Sequence, residues 1–131
     1  MRSGNLTQII GDPYVSVLNR APYSIVEIAL ELSRRNYGRG RWINVKRVAD
    51  NKYKIYGFIT RVGGYTEHTG DPIEVDVGFD IEVNTKSRTA RVRVYADYSD
   101  EDEYLYQTPL AEVEEWIKEA LRKRNIQVEV I

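Results

Sequence analysis

Ile73-Glu74-Val75-Asp76-Val77-Gly78-Phe79-Asp80-Ile81-Glu82-Val83, followed after Asn84-Thr85-Lys86-Ser87 by Arg88-Thr89-Ala90-Arg91-Val92-Arg93-Val94-Tyr95-Ala96-Asp97-Tyr98, is the stretch that decides the fold. In the first run the apolar residues Ile73, Val75, Val77, Phe79, Ile81 and Val83 occupy every second position, the period of a strand with one buried face. The second run alternates in the same way through Ala90, Val92, Val94 and Ala96. Asn84 to Ser87 is turn chemistry, so the two runs form a hairpin. A two-residue loop at Thr85 and Lys86 sets Asp80 opposite Arg91 and Phe79 opposite Val92, and the apolar faces coincide. The row of carboxylates on the other face then meets Arg91 and Arg93 across the strands. That arrangement reads as an ion-paired, solvated face rather than an acid/base or metal site.

The chain has 131 residues and no cysteine. It is long enough for one domain, residues 1–131, with 1–12 read as a tail that contains a short strand near Leu6 to Ile10. The lack of cysteine excludes disulfides, thiol catalysis and cysteine-ligated zinc. The apolar runs are too short to span a bilayer and Met1 to Ile10 lacks the apolar core of a signal peptide, so the expectation is a soluble cytoplasmic protein with no membrane partner. A charged fraction of 30% without cysteine is also compatible with a thermophilic source.

The formal net charge of −1 conceals an asymmetry. Residues 1–66 hold 11 Lys and Arg against 4 Asp and Glu, a balance of +7; residues 67–131 hold 8 against 16, a balance of −8. Such a split suits either a polyanion or self-complementary assembly. Thirteen arginines against six lysines, with 10 tyrosines, adds residue types that fork onto phosphates and stack on rings.

Upstream, Tyr14-Val15-Ser16-Val17-Leu18 reads as a short strand. Ser24 with Glu27 forms a capping-box pattern, and Tyr23 with Ile28 a hydrophobic staple, so a helix is expected from about Ile25, with its stripe at Ile25, Ile28, Ala29 and Leu32 and a C-terminal cap at Gly38. The following loop carries Arg34, Arg35, Tyr37, Arg39, Arg41 and Trp42: guanidiniums that can neutralise phosphates beside rings that can stack bases. The alternative is a helix end and a solvated turn. Trp42 to Ala49 and Lys52 to Val62 then form a hairpin around Asp50 and Asn51. Pairing Ala49 with Lys52 gathers Trp42, Asn44, Lys46, Val48, Tyr53, Ile55 and Ile59 on one face, and Ile43, Val45, Arg47, Lys54, Tyr56, Phe58 and Thr60 on the other. With helices on the first face, the second presents Tyr56 and Phe58 flanked by Arg47 and Lys54, a stacking platform with a cationic rim.

Lys54-Ile55-Tyr56-Gly57-Phe58-Ile59-Thr60 resembles the aromatic strand motif of RNA recognition motif domains, and Tyr14-Val15 is similar to their second motif. The resemblance covers about a dozen residues and implies base stacking on Tyr14, Tyr56 and Phe58. The chain departs from the pattern at Ile55, Arg61 and Val17, where that family has Gly, an aromatic residue and Asn, and the Ile73 to Tyr98 hairpin has no counterpart there.

The one histidine, His68, lies in a glycine-rich loop with Glu67, Asp71 and Tyr65. It lacks the partners of a zinc site and any nucleophile motif, and reads as part of a polar hairpin loop. Asp97 to Glu103 is acidic but lacks the glycine and terminal glutamate of a calcium loop, and reads as a linker. Thr108 caps and Pro109 opens a second helix with its stripe at Leu110, Val113, Trp116, Ile117, Ala120 and Leu121, and Ile126 to Ile131 alternates again and is expected to end the chain as a strand added to a sheet edge, its own or a partner's.

The expected architecture is α+β: a four-stranded antiparallel meander (Trp42 to Ala49, Lys52 to Val62, Ile73 to Val83, Arg88 to Tyr98) with two helices on one face and short terminal strands. A ferredoxin-like βαββαβ sheet with an inserted hairpin is the alternative. The expected function is a non-catalytic, cofactor-free binding module for single-stranded nucleic acid through Arg34, Arg35, Tyr37, Arg39, Arg41, Trp42, Arg47, Lys54, Tyr56 and Phe58. The alternatives are a protein-interaction or self-assembling protein without catalysis and, behind it, a small enzyme using His68.

Overall fold

A computed structural model describes residues 7–10, 15–37, 42–96 and 103–131, with only the backbone described at residues 7, 8 and 10. Strict alternation in the middle of the chain produces the two longest strands, β4 (Lys52–Tyr65) and β5 (Pro72–Asn84), which pair with each other at the centre of the sheet. Around them lie β1 (Thr7–Ile10), β2 (Val15–Leu18), β3 (Ile43–Ala49), β6 (Thr89–Ala96) and β7 (Gln127–Val130). The described residues form a sheet of seven strands, and their spatial order is their order in the chain. β3 to β6 are mutually antiparallel, as the meander requires. The short strands do not stand apart from it. β2 adds parallel to β3 across helix α1 (Tyr23–Ser33), and β7 adds parallel to β6 across helix α2 (Gln107–Arg122), which makes one mixed sheet.

Both helices cover the same face. Ile25, Ile28, Ala29 and Leu32 of α1 and Val113, Ile117, Ala120 and Leu121 of α2 share one buried cluster with Val15, Val17, Ile43, Val45, Ile55, Ile59, Phe79, Ile81 and Val92 of the sheet. Each fully buried Val, Leu, Ile or Phe among these contributes about 1.5–3 kcal/mol. Glu31 of α1 ties the helices together, accepting hydrogen bonds from Lys123 Nζ at 3.1 Å and Arg124 Nη1 at 3.3 Å. The β2–β3 pair runs opposite to the β6–β7 pair. With both crossing helices on one face, the two crossovers have opposite hands, so one of them departs from the right-handed preference of βαβ units.

Three local expectations are corrected. Ser24 is exposed and makes no cap; α1 starts from Pro22, at φ −57° and ψ 148°, whose carbonyl accepts from the Ile25 and Val26 amides. Tyr23 is 70% exposed, so no staple closes over the helix. Gly38, the expected C-terminal cap, lies outside the described residues, and α1 already ends at Ser33 with Arg34 as its C-cap, the Arg34 amide donating to the Leu30 carbonyl at 3.2 Å. α2 starts from Tyr106, so Thr108, expected to cap it, lies inside the helix. The β5–β6 turn is two residues longer than expected: Thr89 pairs with Asn84, and Asp80 stands opposite Arg93, with Phe79 opposite Val94. Asn84 organises that turn, its Oδ1 accepting from the Lys86 and Ser87 amides and its carbonyl from the Arg88 amide, while Arg88 takes φ +58°. A shift of two preserves faces, so the core was unaffected.

The third correction does change a face. Ala49 pairs with Lys52 as expected, but Val48 is an extra residue in a β-bulge, and from there Arg47 pairs with Tyr53, Val45 with Ile55 and Asn44 with Tyr56. One inserted residue exchanges inside for outside along the rest of β3. Ile43 and Val45 therefore enter the core, and Asn44 and Lys46 turn to the other side.

Candidate nucleic-acid interface

The sheet face opposite the helices is set by the same alternation that builds the core. It carries Asn44 and Lys46 from β3, Lys52, Lys54, Tyr56, Phe58 and Thr60 from β4, Glu74, Asp76, Gly78, Asp80 and Glu82 from β5, and Arg91, Arg93 and Tyr95 from β6. Tyr56, Phe58 and Tyr95 are half-buried at its centre. Phe58 and Tyr95 face each other edge-on across Gly78, their centroids 6.2 Å apart at 77°. Gly78 leaves room for this: a Cβ there would lie 2.3 Å from Tyr95 Cε2, so the ring rests on bare backbone. Gly57, between Tyr56 and Phe58, takes φ +149°, and a Cβ there would meet the Trp42 carbonyl at 2.7 Å, so the position suits glycine on both counts.

Cations border these rings. Lys46 Nζ lies 5.5 Å from the Tyr56 centroid and the Arg93 guanidinium 4.9 Å from that of Tyr95, each contact contributing about 0.5–1 kcal/mol. Lys54 Nζ pairs with Asp80 at 3.2 Å, both side chains about one-third exposed, which places it among pairs contributing roughly 0–1 kcal/mol. Thr60 Oγ1 donates to Asp76 at 2.6 Å. On this face the charged residues of β3 and β4 are Lys46, Lys52 and Lys54, those of β5 are all acids, and those of β6 are Arg91 and Arg93, so the charge asymmetry of the sequence persists between β3–β4 and β5. The join between the halves is the Lys54–Asp80 pair. At one end Lys52, Glu82, Asn84, Thr89 and Arg91 line a hollow of about 210 Å³.

The ten expected contact residues are not brought onto one surface. Lys54, Tyr56 and Phe58 share the helix-free face. Arg34 and Arg35 lie at the end of α1 on the helix side; Arg35 stacks at 4.8 Å on Trp116, which Arg61 covers at 4.6 Å, and pairs with Glu119 at 3.8 Å. Arg47, expected beside Tyr56, is turned away by the bulge and pairs with Asp50, and Lys46 takes its place. Trp42 and Tyr37 are exposed near the start of β3 and the far half of β4, where the Tyr37 amide donates to the Thr60 carbonyl at 2.8 Å. Arg39, Arg41 and Tyr14 lie outside the described residues. Lys46 carried no signal in the sequence, since only the bulge exposes it. Tyr95 did: it alternates with Val94 and Ala96 and therefore shares the outer face with Phe58.

His68 is exposed at the tip of the β4–β5 hairpin. Its neighbour Asp71 accepts from the Thr69 hydroxyl at 2.8 Å, within a network that includes Thr66. Among the described residues no group of three or more acidic, histidine or cysteine side chains is placed to hold a metal, and no helix is long and apolar enough to cross a membrane. The chain matches no protein-family model, no curated protein and no solved structure.

Proposed function

We propose that the protein is a non-catalytic, cytoplasmic binding module that takes single-stranded nucleic acid across β3 and β4 on the helix-free face. The observation that carries this reading is the coincidence, on the one sheet face without a helix, of Tyr56, Phe58 and Tyr95 with the acid-free row Lys46, Lys52 and Lys54. Bases stack on the rings while the lysines follow the phosphates; Lys46, resting over Tyr56, swings from the ring to the backbone of an incoming strand. Each stacked base contributes about 1–3 kcal/mol. Each phosphate neutralised steepens the log–log salt dependence by roughly 0.7. The acids of β5 repel phosphate and keep the sugar–phosphate backbone over β3 and β4, while the Tyr95 ring, which lies over Gly78 against Phe58, meets a base from there.

Fluorescence anisotropy with a labelled oligonucleotide at low and moderate salt tests the proposal. Tyr56→Ala is expected to weaken binding with the salt slope unchanged, Lys46→Ala with Lys52→Ala to flatten the slope, and Arg34→Ala to change neither. No binding at low salt, or equal binding of duplex and single strand, contradicts it. A protein partner is the second reading, favoured by one observation: Asp76, Asp80 and Glu82 run beside Arg91 and Arg93, a mixed-charge surface that suits a protein better than a polyanion.

A further inference from the structure

β7 ends the sheet, and among the described residues no strand pairs with its outer side. Its inner side is fixed by the parallel ladder to β6, with the Gln127 amide donating to the Arg88 carbonyl at 2.9 Å and the Ile131 amide to the Val92 carbonyl at 2.8 Å. Odd-numbered residues therefore direct their backbone groups inward, and the N–H and C=O of Val128 and Val130 point out along the free edge. Edge strands are ordinarily protected by shortness, charge, Pro or a bulge. β7 is four residues long but has no Lys, Pro or bulge; its one charge, Glu129, is paired with Arg91 at 3.7 Å, and Val130 and Ile131 are 43% and 65% exposed.

We propose that this edge is a self-association surface, on which β7 of a second copy pairs antiparallel about a two-fold axis perpendicular to the sheet at Val128. The choice of partner and register follows from the residues. Only a copy of β7 puts Val128 opposite Val128, joined by two N–H···O bonds, while Gln127 stands opposite Glu129, where an amide donates to a carboxylate. Sliding by one position about the axis sets Glu129 opposite Glu129, like charges in direct contact. With the axis perpendicular to the sheet, the helices of both copies lie on one side. The two helix-free faces lie on the other as one continuous surface. The surface is distinct from the face assigned to nucleic acid, and its test is independent of that assignment.

The chain has no cysteine, so introduced thiols report pairing without background. In this register residues 127 and 129 of the two copies form a non-hydrogen-bonded pair with Cα atoms about 4.5 Å apart, within disulfide reach, whereas 129 and its own mate are roughly 8 Å apart, beyond it. Under a mild oxidant, a mixture of Gln127→Cys and Glu129→Cys proteins is expected to give a disulfide-linked dimer and neither variant alone to give one. Sedimentation of the cysteine-free protein is expected to show twice the chain mass at high concentration. Cross-linking by Glu129→Cys alone overturns the register, and a monomer at every concentration with no link in the mixture overturns the proposal. Thermal melts of both variants confirm that they are folded.

Discussion

Gly78→Ala is a small change with a large predicted consequence, because the glycine is the seat of the Tyr95 ring. A Cβ at position 78 falls 2.3 Å from Cε2 and 2.4 Å from Cζ of Tyr95, against the ~3.5–4.0 Å at which carbon atoms attract. Backbone at the centre of a seven-stranded sheet yields less readily than a side chain, so the ring lifts by more than an ångström and loses its edge contact with Phe58. An aromatic pair of this kind contributes about 0.5–1.5 kcal/mol beyond area burial, and the lost packing of the ring on the strand adds a similar amount. Replacing glycine in a strand interior returns about 0.5–1 kcal/mol through backbone entropy. The net loss is about 1 kcal/mol, a fall in Tm of about 4 °C for a chain of this size. In a Tyr95→Ala background the same substitution meets no ring and becomes stabilising by about 0.5 kcal/mol. Urea denaturation of the four proteins in the cycle therefore yields a coupling of about 1–2 kcal/mol. A coupling indistinguishable from zero refutes the seating of Tyr95 on Gly78, and with it the edge contact of Tyr95 with Phe58.

The Glu31 contact between the helices gives a pH dependence. Burial alone raises the pKa of this carboxyl, but the hydrogen bond and charge of Lys123, with Arg124, outweigh it and hold the value below the usual carboxylate range. A folded-state pKa below the unfolded one contributes stability that is present above the unfolded value and lost as pH falls through the folded value. The stability gap between wild type and Glu31→Gln, read by urea denaturation, is thus expected to be constant above about pH 6 and to close below about pH 4; a gap that widens in acid contradicts the assignment. Deleting Val48 removes the bulge and leaves Arg47 opposite Tyr53 and Ala49 opposite Lys52, so stability is expected to stay within about 1 kcal/mol of wild type. A loss above about 3 kcal/mol shows that the bulge itself is required.

Much of this fold is legible as period. The burial of every second residue in β5, and of the Ile25–Leu32 and Val113–Leu121 stripes, follows from spacing alone, because a side chain's face depends on parity and survives any even shift of register. The β5–β6 turn shows this, two residues longer than expected yet with the same residues buried. What spacing cannot carry is a single inserted residue. Val48 is an ordinary strand former between Arg47 and Ala49, and nothing local marks it as the residue without a partner; the tertiary demand to bury Ile43 and Val45 beside Ile55 decides it. The same limit applies to the candidate site. Tyr56 and Phe58 could be placed together because they sit two apart on one strand. Whether Arg34, Arg35 and Arg47 joined them depended on which side of the sheet α1 packs and on the bulge, both long-range properties. Capping signals failed for a local reason: Pro22, with its φ fixed near −60°, starts α1 two residues before Ser24 can cap it.

The measurement that bears most directly on the binding face is an NMR titration of isotope-labelled protein with a short single-stranded oligonucleotide at low salt, followed through backbone amide shifts. The expected result is a contiguous set of shifted amides at Lys46, Lys54, Tyr56, Phe58 and Tyr95, with the exposed sides of α1 and α2 unmoved. Shifts concentrated around Arg34, Arg35 and Trp116 on the helix side, or no shifts at all, contradict the assignment of the helix-free face.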